Sequence, residues 1–324
     1  MSKIKVFMTD KSWTDLEIEK NILKEIDAEI VLGSPGTPEE ICREGQDCDV
    51  AMVLFTPMGA ENLRTFKQCK LLVRMGIGIN TVDLFTATQQ NIMVCNVPDY
   101  CQGEVADHVI ALMLEVTRKI GALNSQVRGG GWDMTIADPV PRLQDKVFGL
   151  WGCGGIGQMT ARRAAAFGMK VSGYDPYQTD SVFDQNGIKR YQDLNRFLSE
   201  IDVLSLHVPL TPETEHMINA ETLGHMKSSA YLINTARGFL VNEEDLYTAI
   251  KSRSIAGAAL DVLETEPPNG VAKLATLPNV VITPHAAWNS EEAIPELREK
   301  AAQEIVRFFK EGRPKNLVNT DILN

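Results

Sequence analysis

Short apolar runs alternate with amphipathic stretches along nearly the whole chain. In the N-terminal third, strand-like runs cover residues 4–8, 29–32, 49–55, 70–75 and 92–96. Between them, amphipathic stretches predict helices at 14–26, 38–44, 60–67 and 81–90. A succession of strand, helix and strand builds parallel strand pairs with helical crossovers. The pattern therefore predicts an α/β unit with a parallel sheet over about residues 1–100.

A second alternating region begins at Lys146, after one long helical pattern. Apolar residues recur at helical spacing from Gly103 to about Arg128 and predict one continuous helix, and the glycine- and proline-rich segment 129–141 predicts an irregular loop. Strands are then predicted at 147–151, 170–174, 203–207, 230–234, 255–262 and 280–283, followed by an amphipathic helix at 291–310. The second α/β unit covers about residues 101–288, and the last helix could cover an apolar surface of either unit.

Length and composition agree with two domains and limit the partners. The chain has 324 residues, about twice the size of a common single domain. Its net charge is −11 and its basic residues are scattered, whereas a surface that binds nucleic acid needs clustered Lys and Arg. No apolar run approaches the ~18 residues that span a bilayer, and the start lacks the features of a signal peptide. We therefore expect a cytoplasmic protein with neither nucleic acid nor membrane as its partner.

The six cysteines indicate neither a metal site nor disulfides. None forms a C-x-x-C pair, and no histidine lies at zinc-ligand spacing from them. In a reducing compartment we expect buried, reduced thiols. Cys153 has two interpretations, an oxidation-sensitive thiol or a small side chain at a permissive position. The second is favoured because no basic neighbour in the sequence would activate the thiol.

A glycine-rich turn joins a predicted strand to a predicted helix. The strand 147–151 leads into Gly152-Cys-Gly-Gly-Ile-Gly157, and a stretch rich in small residues follows. Gly152 permits a tight turn, Gly154 lets a pyrophosphate approach the backbone, and Gly157 lets helix and strand pack closely. The N-terminus of the helix adds N–H groups and a partial positive charge. In this context the motif predicts a dinucleotide site.

Asp175 indicates which dinucleotide binds. It stands at the end of the next predicted strand, where its carboxylate can accept hydrogen bonds from the ribose hydroxyls of the adenosine. A 2′-phosphate would be repelled there, and residues 176–179 contain no Arg or Lys to compensate. The sequence therefore favours NAD over NADP.

Three further strand ends carry residues suited to hydride transfer with a 2-oxo acid. Arg237 offers a permanently charged fork for a carboxylate or keto oxygen. His285 can donate a proton near neutral pH, and Glu266 could hold its imidazole in the protonated form. Taken singly, Arg237 could be a surface ion-pair partner and His285 a core histidine. Because the carboxyl ends of parallel strands meet at one sheet edge, their joint placement favours an active site.

With these motifs the chain resembles the D-isomer-specific 2-hydroxyacid dehydrogenase family over essentially its whole length. The motifs are residues 152–157, 207–214, 234–238 and 261–267, and the Pro284-His285 pair. The resemblance implies an NAD-dependent oxidoreductase acting on a small 2-oxo or 2-hydroxy acid. It implies two Rossmann-like parallel-sheet domains: a discontinuous, flavodoxin-like substrate domain (1–100 and 289–324) and an NAD-binding domain (101–288). It also implies a homodimer.

The resemblance further assigns roles to individual residues. Arg237 would orient the substrate, His285 would be the general acid/base, Glu266 its partner, and Asp261 a contact of the nicotinamide amide. The expected cofactor-binding residues are Gly152, Gly154, Gly155, Ile156, Gly157, Asp175, His207, Val208, Pro209, Thr214, Thr235, Ala236, Arg237, Asp261 and His285. The expected substrate-binding residues are Arg74, Gly76, Ile77, Gly78, Arg237, His285 and Trp288.

Within the family, the chain looks most similar to the C-terminal-binding protein branch. The segments 74–78, 95–100 and 285–288, together with Ser290 and Glu291, carry that likeness. It leaves a second function open, an NAD(H)-sensing module that binds other proteins. In that branch the counterparts of Arg74 and Trp288 line the substrate pocket, although Trp288 could equally be a packing residue. Which 2-oxo acid is the substrate does not follow from the sequence.

Overall fold

The computed structural model describes residues 3–323, which divide into two compact units. The first unit comprises the described residues up to Tyr100 together with the stretch from Ser290 onward, and the second runs from Cys101 to Asn289. No helix among residues 3–323 is long and apolar enough to cross a membrane.

The first unit contains a five-stranded sheet in which all strand pairs are parallel. Its strands are β1 (Ile4–Met8), β2 (Ala28–Leu32), β3 (Val50–Val53), β4 (Leu71–Arg74) and β5 (Met93–Asn96). Its helices before Tyr100 are α1 (Glu17–Leu23), α2 (Pro38–Glu44), α3 (Ala60–Leu63) and α4 (Leu84–Gln89). The strand order β2-β1-β3-β4-β5 is that of the flavodoxin-like fold.

The second unit contains a seven-stranded parallel sheet. Its strands are β6 (Val147–Trp151), β7 (Lys170–Tyr174), β8 (Lys189–Tyr191), β9 (Val203–Leu206), β10 (Tyr231–Asn234), β11 (Gly257–Leu260) and β12 (Val280–Ile282). Its helices are α5 (Gln102–Arg118), α6 (Ile120–Arg128), α7 (Gly155–Ala166), α8 (Asp180–Gln185), α9 (Leu194–Glu200), α10 (Ala220–His225) and α11 (Glu243–Lys251). The order β12-β11-β10-β9-β6-β7-β8 is doubly wound about β6, as in Rossmann folds, which confirms the predicted fold class.

The prediction of one helix from Gly103 to Arg128 is wrong. Lys119 adopts a left-handed conformation (φ 51°) and separates α5 from α6. The carboxylate of Glu115 accepts the N–H of Gly121 at 2.9 Å, so a side chain replaces a helical backbone acceptor at the break. The apolar periodicity of the sequence continues across this point and therefore conceals it.

Strand β8 has no counterpart among the predicted strands. It is short, lies at the edge of the sheet and carries Lys189 and Arg190. Charged side chains are a common protection for edge strands, and they remove the apolar run by which a buried strand is recognised. The central strands β9, β10 and β11 are buried at every position, as expected for a sheet covered on both faces.

The last helix, α12 (Ala293–Glu311), packs against α1 and β4 of the first unit. A buried ion pair accompanies its apolar contacts. The guanidinium of Arg298 donates from Nε to Oε1 of Glu19 at 2.8 Å and from Nη2 to Oε2 at 2.7 Å. The Glu19 side chain is fully buried and that of Arg298 is 6% exposed. The guanidinium of Arg298 also lies over the ring of Trp13. Both the ion pair and this cation–π contact therefore hold α12 against the N-terminal part of the first unit.

Arg298→Met should destabilise the first unit by about 3–5 kcal/mol, because it leaves the Glu19 carboxylate buried without its counter-ion. Urea unfolding of both proteins measures the difference. Lys310→Met is the matched control on the same helix, since Lys310 and Glu25 form an ion pair with side chains 52% and 55% exposed. It should change the free energy of unfolding by about 0.5 kcal/mol or less. Equal losses for the two variants would contradict this account of Arg298.

Candidate active site

The turn between β6 and α7 is built on glycine for a geometric reason. Gly152 has a φ of +98°, and a Cβ there would lie 2.7 Å from the carbonyl of His207. A Cβ on Gly157 would lie 2.5 Å from the carbonyl oxygen of Gly152. The turn therefore lies tightly between the end of β9 and the first turn of α7.

Gly154 differs from these neighbours because a Cβ built on it meets nothing within 4 Å. It is the N-cap residue of α7, so the open space lies in front of a helix N-terminus. Helix N-terminal N–H groups and their partial positive charge suit a phosphate. The cradle thus has the shape and the charge that a pyrophosphate requires.

Asp175 lies directly after β7 and beside the glycine turn. Its carboxylate accepts the N–H of Cys153 at 2.8 Å and that of Tyr177 at 2.9 Å. Arg190, on the neighbouring strand β8, is held by Asp180 at 2.5 Å. That the Asp175 carboxylate contacts ribose hydroxyls, and would repel a 2′-phosphate, stays a prediction of the sequence.

Cys153 is fully buried within the turn. Burial raises the pKa of its thiol to about 12, and the charge of Asp175 adds to that rise. The thiol is therefore protonated at neutral pH and weakly nucleophilic. This environment favours the interpretation of Cys153 as a small buried side chain.

The loop after β9 carries His207, Val208, Pro209 and Thr214 next to the glycine turn. The Nε2 atom of His207 lies 2.9 Å from the hydroxyl of Ser205, and burial lowers the pKa of His207 to about 4. His207 is therefore neutral at physiological pH and unsuited to donate a proton. The hydroxyl of Thr214 donates to the carbonyl of Pro209 at 2.8 Å and so closes the loop.

Asn234, at the end of β10, shapes the turn that carries Arg237. Its fully buried amide donates to the carbonyl of Arg237 at 2.7 Å and accepts the N–H of Ala236 at 3.0 Å. The hydroxyl of Thr235, in the same turn, is buried and has no hydrogen-bond partner among the described residues. A buried hydroxyl of this kind is available to a bound molecule.

Gly238 lets this turn approach the segment that follows β11. A Cβ on Gly238 would lie 1.9 Å from the carbonyl oxygen of Leu263. Neither Asn234 nor Gly238 is among the predicted site residues. Their signal in the sequence is an Asn at the end of an apolar strand with a Gly four residues later, which is too common to identify alone.

His285 and Glu266 form the central pair of the site. The Nδ1 atom of His285 lies 2.6 Å from Oε2 of Glu266, and Oε1 of Glu266 accepts the N–H of Leu263 at 2.8 Å. The two side chains are 46% and 35% exposed. Since Nδ1 is occupied, Nε2 is the ring nitrogen that remains for proton transfer.

The charge of Glu266 is maintained by its neighbours. Burial raises the pKa of this carboxyl group, but the hydrogen bond and charge of His285, the N–H of Leu263 and the charge of Arg237 together lower it below its usual value. An ionised Glu266 stabilises the protonated imidazole beside it. Arg237 thus lies near enough for its charge to act on Glu266, which contacts His285, and the catalytic roles of the three residues stay predictions.

Asp261 holds the turn that carries His285. Its side chain accepts the N–H groups of Ala286 and Ala287, each at 2.9 Å, and its main-chain carbonyl accepts that of His285 at 2.8 Å. The residue is 1% exposed. The contact with a nicotinamide amide that the resemblance implies stays a prediction. Trp288 follows this turn and is half-buried.

The remaining predicted substrate residues belong to the first unit. Arg74 ends β4, and its Nη1 donates to the carbonyl of Met75 at 2.7 Å. Gly76 (φ +143°) makes room for this guanidinium, since a Cβ there would lie 1.5 Å from Nη1. Asn96 donates to the carbonyl of Ile77 at 2.6 Å and holds the loop that continues to Gly78.

Comparison with known proteins agrees with this geometry. Residues 110–287 match the family model described as D-isomer specific 2-hydroxyacid dehydrogenase, NAD binding domain. The chain belongs to this family. It is 40% identical over 292 residues to glycerate dehydrogenase of Methylorubrum extorquens, with coverage of 88% of this chain and 90% of that protein. It is 38% identical over 289 residues to hydroxypyruvate reductase of Blautia hydrogenotrophica, with coverage of 87% and 88%.

Among solved structures, the chain is similar to D-lactate dehydrogenase from Aquifex aeolicus complexed with NAD and lactic acid. The TM-score is 0.83 at 29% identity, and the match covers 95% of this chain and 96% of that one. Together with the family match, this makes the chain an NAD-dependent oxidoreductase that acts on the CH–OH group of 2-hydroxy acids.

Glu266→Gln should shift the pH profile of ketone reduction to lower pH. Reduction needs a protonated imidazole, and the variant removes the negative charge that favours it while keeping a hydrogen-bond acceptor. The descending limb of kcat against pH should therefore move to lower pH. Glu264→Gln is the control, because the Glu264 carboxylate lies 3.1 Å from His216 instead. Superimposable profiles for Glu266→Gln and the wild type would remove Glu266 from this role.

Proposed function

We propose that the enzyme reduces a small 2-oxo acid with NADH and oxidises the matching 2-hydroxy acid, with His285 as general acid/base. The observation that carries this proposal is the 2.6 Å contact between His285 and Glu266. The positive charge of Arg237 also acts on the Glu266 carboxylate and helps to lower its pKa. Glu266 is the partner that stabilises the charged ring, and Arg237 is the cation that orients the substrate through its carboxylate or keto oxygen.

Bound NAD(H) would accept a hydride in the oxidising direction and would supply one to the keto carbon in the reducing direction. The carbonyl oxygen then gains negative charge, and the Nε2–H of the His285 imidazolium transfers its proton to that oxygen. His285 is left neutral, and Glu266 loses its counter-charge within the pair. In the oxidising direction, neutral His285 accepts the hydroxyl proton and the ion pair with Glu266 re-forms.

The cofactor assignment rests on the second unit. We propose residues 101–288 as the NAD-binding domain, with the pyrophosphate in front of Gly154 and the ribose hydroxyls on Asp175. The unpartnered hydroxyl of Thr235 supports a cofactor contact at the end of β10. The other proposed contacts are Gly152, Gly155, Ile156, Gly157, His207, Val208, Pro209, Thr214, Ala236, Arg237, Asp261 and His285.

Residues 1–100 and 289–324 are proposed as the substrate domain. The expectation that Arg74, the Gly76–Gly78 loop and Trp288 contact the substrate stays a prediction. The names of the relatives guide the choice of substrate, since they include glycerate dehydrogenase and hydroxypyruvate reductase. We therefore propose a short, hydrophilic or unbranched 2-oxo acid, such as hydroxypyruvate, glyoxylate or pyruvate.

A panel of 2-oxo acids tests this function, with NADH and NADPH side by side. At least one of glyoxylate, hydroxypyruvate and pyruvate should oxidise NADH, which is followed by its absorbance, and branched and aromatic 2-oxo acids should do so less efficiently. NADPH should be used less efficiently because its 2′-phosphate would meet Asp175. His285→Ala should lower kcat by about 10²–10⁴-fold while NADH still binds. Silence across the panel, with NADH shown to bind, would contradict the proposal.

The likeness to the C-terminal-binding protein branch stays a prediction, and so does the second function that it suggests. The relatives named above are enzymes, and their names do not favour an NAD(H)-sensing binding module. The oxo-acid panel separates the two functions, because a binding module would bind NADH without turning over any substrate.

We also propose that the enzyme is a homodimer that associates through an exposed apolar surface of the second unit, here called the α6 surface. Its members are the exposed residues Ile120, Val127, Trp132, Met134, Ile136 and Val140. Trp132 is 90% and Met134 82% exposed, and α6 has no buried residue. A nine-residue helix is unstable in water without packing. An exposed apolar surface of this kind indicates an association site.

A second copy of the chain fits this surface because the surface carries both signs of charge. Arg128 ends α6, and Asp133 lies beside Trp132, with its N–H bonded to Gln126 of α6 at 2.9 Å. In a two-fold interface each patch meets itself, so opposite charges on one patch can pair across the axis. The cytoplasmic location, and the absence of nucleic-acid and membrane partners, stay predictions of the sequence.

Sedimentation velocity tests the homodimer. The wild type should sediment as a dimer at micromolar concentration, and the double variant Trp132→Glu, Met134→Glu should raise the dissociation constant at least about 100-fold by burying unpaired charge. Val271→Glu is the control, since Val271 is 81% exposed but lies outside the α6 surface. A monomeric wild type, or equal weakening by Val271→Glu, would overturn the assignment.

A further inference from the structure

A chain of polar contacts lies next to the turn that carries His285, and the proposed proton transfer does not use it. His108, on α5, places Nε2 at 3.0 Å from the hydroxyl oxygen of Thr283. That hydroxyl in turn lies 2.5 Å from Oδ1 of Asp261. Nε2 of His108 is also 3.5 Å from the same carboxylate oxygen. The three side chains therefore form one cluster, with a helix at one end and the His285 turn at the other.

The direction of these hydrogen bonds follows from the chemistry of the groups. An ionised carboxylate can only accept, so the hydroxyl of Thr283 donates its single proton to Asp261. The hydroxyl oxygen is then left as an acceptor, and Nε2 of His108 must carry the hydrogen that it receives. The two hydrogen bonds therefore donate in the same direction, from His108 to Thr283 and from Thr283 to Asp261.

The position of Asp261 matters because this residue holds the turn that carries His285. His285 adopts a φ of +51°, a left-handed conformation that side chains other than glycine seldom take. The three successive N–H groups of residues 285, 286 and 287 all bond to Asp261. A shift of the Asp261 carboxylate would therefore move the imidazole relative to Glu266. The hydroxyl of Thr283 donates to Oδ1 of Asp261, the same oxygen that accepts the N–H of Ala286, and so fixes the carboxylate, while His108 fixes Thr283.

We propose that His108 and Thr283 are positioning residues for catalysis, which act through Asp261 to hold the His285 turn in its left-handed conformation. The inference rests on the proposed role of His285 as general acid/base. It gives His108 a function beyond that of a structural residue of a long helix. If the contact only held α5 against the sheet, its loss would lower the stability of the protein. If it positions His285, its loss lowers the rate of the chemical step.

Thr283→Val tests the proposal, since it removes the hydroxyl and nearly keeps the shape of the side chain. We expect kcat for oxo-acid reduction to fall about 10- to 100-fold, as a misplaced catalytic group does. KM for the oxo acid should change by less than about twofold, because ground-state binding of the substrate is kept. Thr283→Ser restores the hydroxyl and should return kcat to within about twofold of the wild type.

His108 provides a second, independent pair of variants in case Thr283→Val folds poorly. His108→Gln keeps an N–H donor and should retain most of kcat, whereas His108→Leu should lower it to a similar degree as Thr283→Val. Thr117→Val is the matched control on the same helix. Thr117 is fully buried, but its hydroxyl donates to the carbonyl of Met113 within α5, so its loss should lower the melting temperature without lowering kcat.

A double variant shows whether the effect passes through His285. If Thr283 acts by aligning His285 with Glu266, the losses in kcat from Thr283→Val and Glu266→Gln should combine to less than their product. The inference would be overturned if Thr283→Val and His108→Leu left kcat unchanged and lowered stability alone. It would also be overturned if the two losses in kcat multiplied fully in the double variant, or if Thr283→Ser did not restore kcat. Full activity of His285→Ala would instead overturn the proposed function, so the two failures are distinguishable.

Discussion

Parallel pairing of β10, β11 and β12 is the constraint on which the active site depends. The register pairs Asn234 with Leu260 and Leu260 with Ile282, so the three strands end at the same level of the sheet. Each strand is followed by a turn that leaves at this edge. Residues from three distant parts of the sequence therefore converge, and the chemistry is assembled from turns rather than from any one element.

Two of these turns depend on buried polar groups for their shape. Asn234 folds the turn that presents Arg237, and Asp261 holds the turn that presents His285. Both side chains are almost completely removed from solvent, so their hydrogen bonds are worth more than exposed ones would be. Because Gly238 has no side chain, the turn that presents Arg237 can lie directly against the segment leading to Glu266. The two turns are thus held by hydrogen bonds and close contacts buried at this edge of the sheet.

The extent to which the sequence predicted the structure varies with the kind of signal. The parallel sheets and their strands followed from apolar runs, which burial on both faces makes necessary. The break at Lys119 did not follow, because a left-handed lysine has no signature and the apolar spacing runs through it. Strand β8 did not follow either, because its charged residues suit an exposed edge. The glycine turn could be recognised in the sequence because few residues other than glycine fit its backbone geometry. Asp175 could be recognised because an acidic residue at the end of the next strand belongs to the same motif.

The sequence by itself determined which groups are available: the glycine turn, the acidic residue after β7, and an Arg, a Glu and a His at strand ends. Only the tertiary structure decided how those groups are supported. It showed that Asp261 holds a turn and that His108 reaches Thr283 across 175 positions of the chain. The physical reason is that a hydrogen bond is specified by distance and direction, and these are set by strand order and register. Neither is visible in the spacing of residues along one chain.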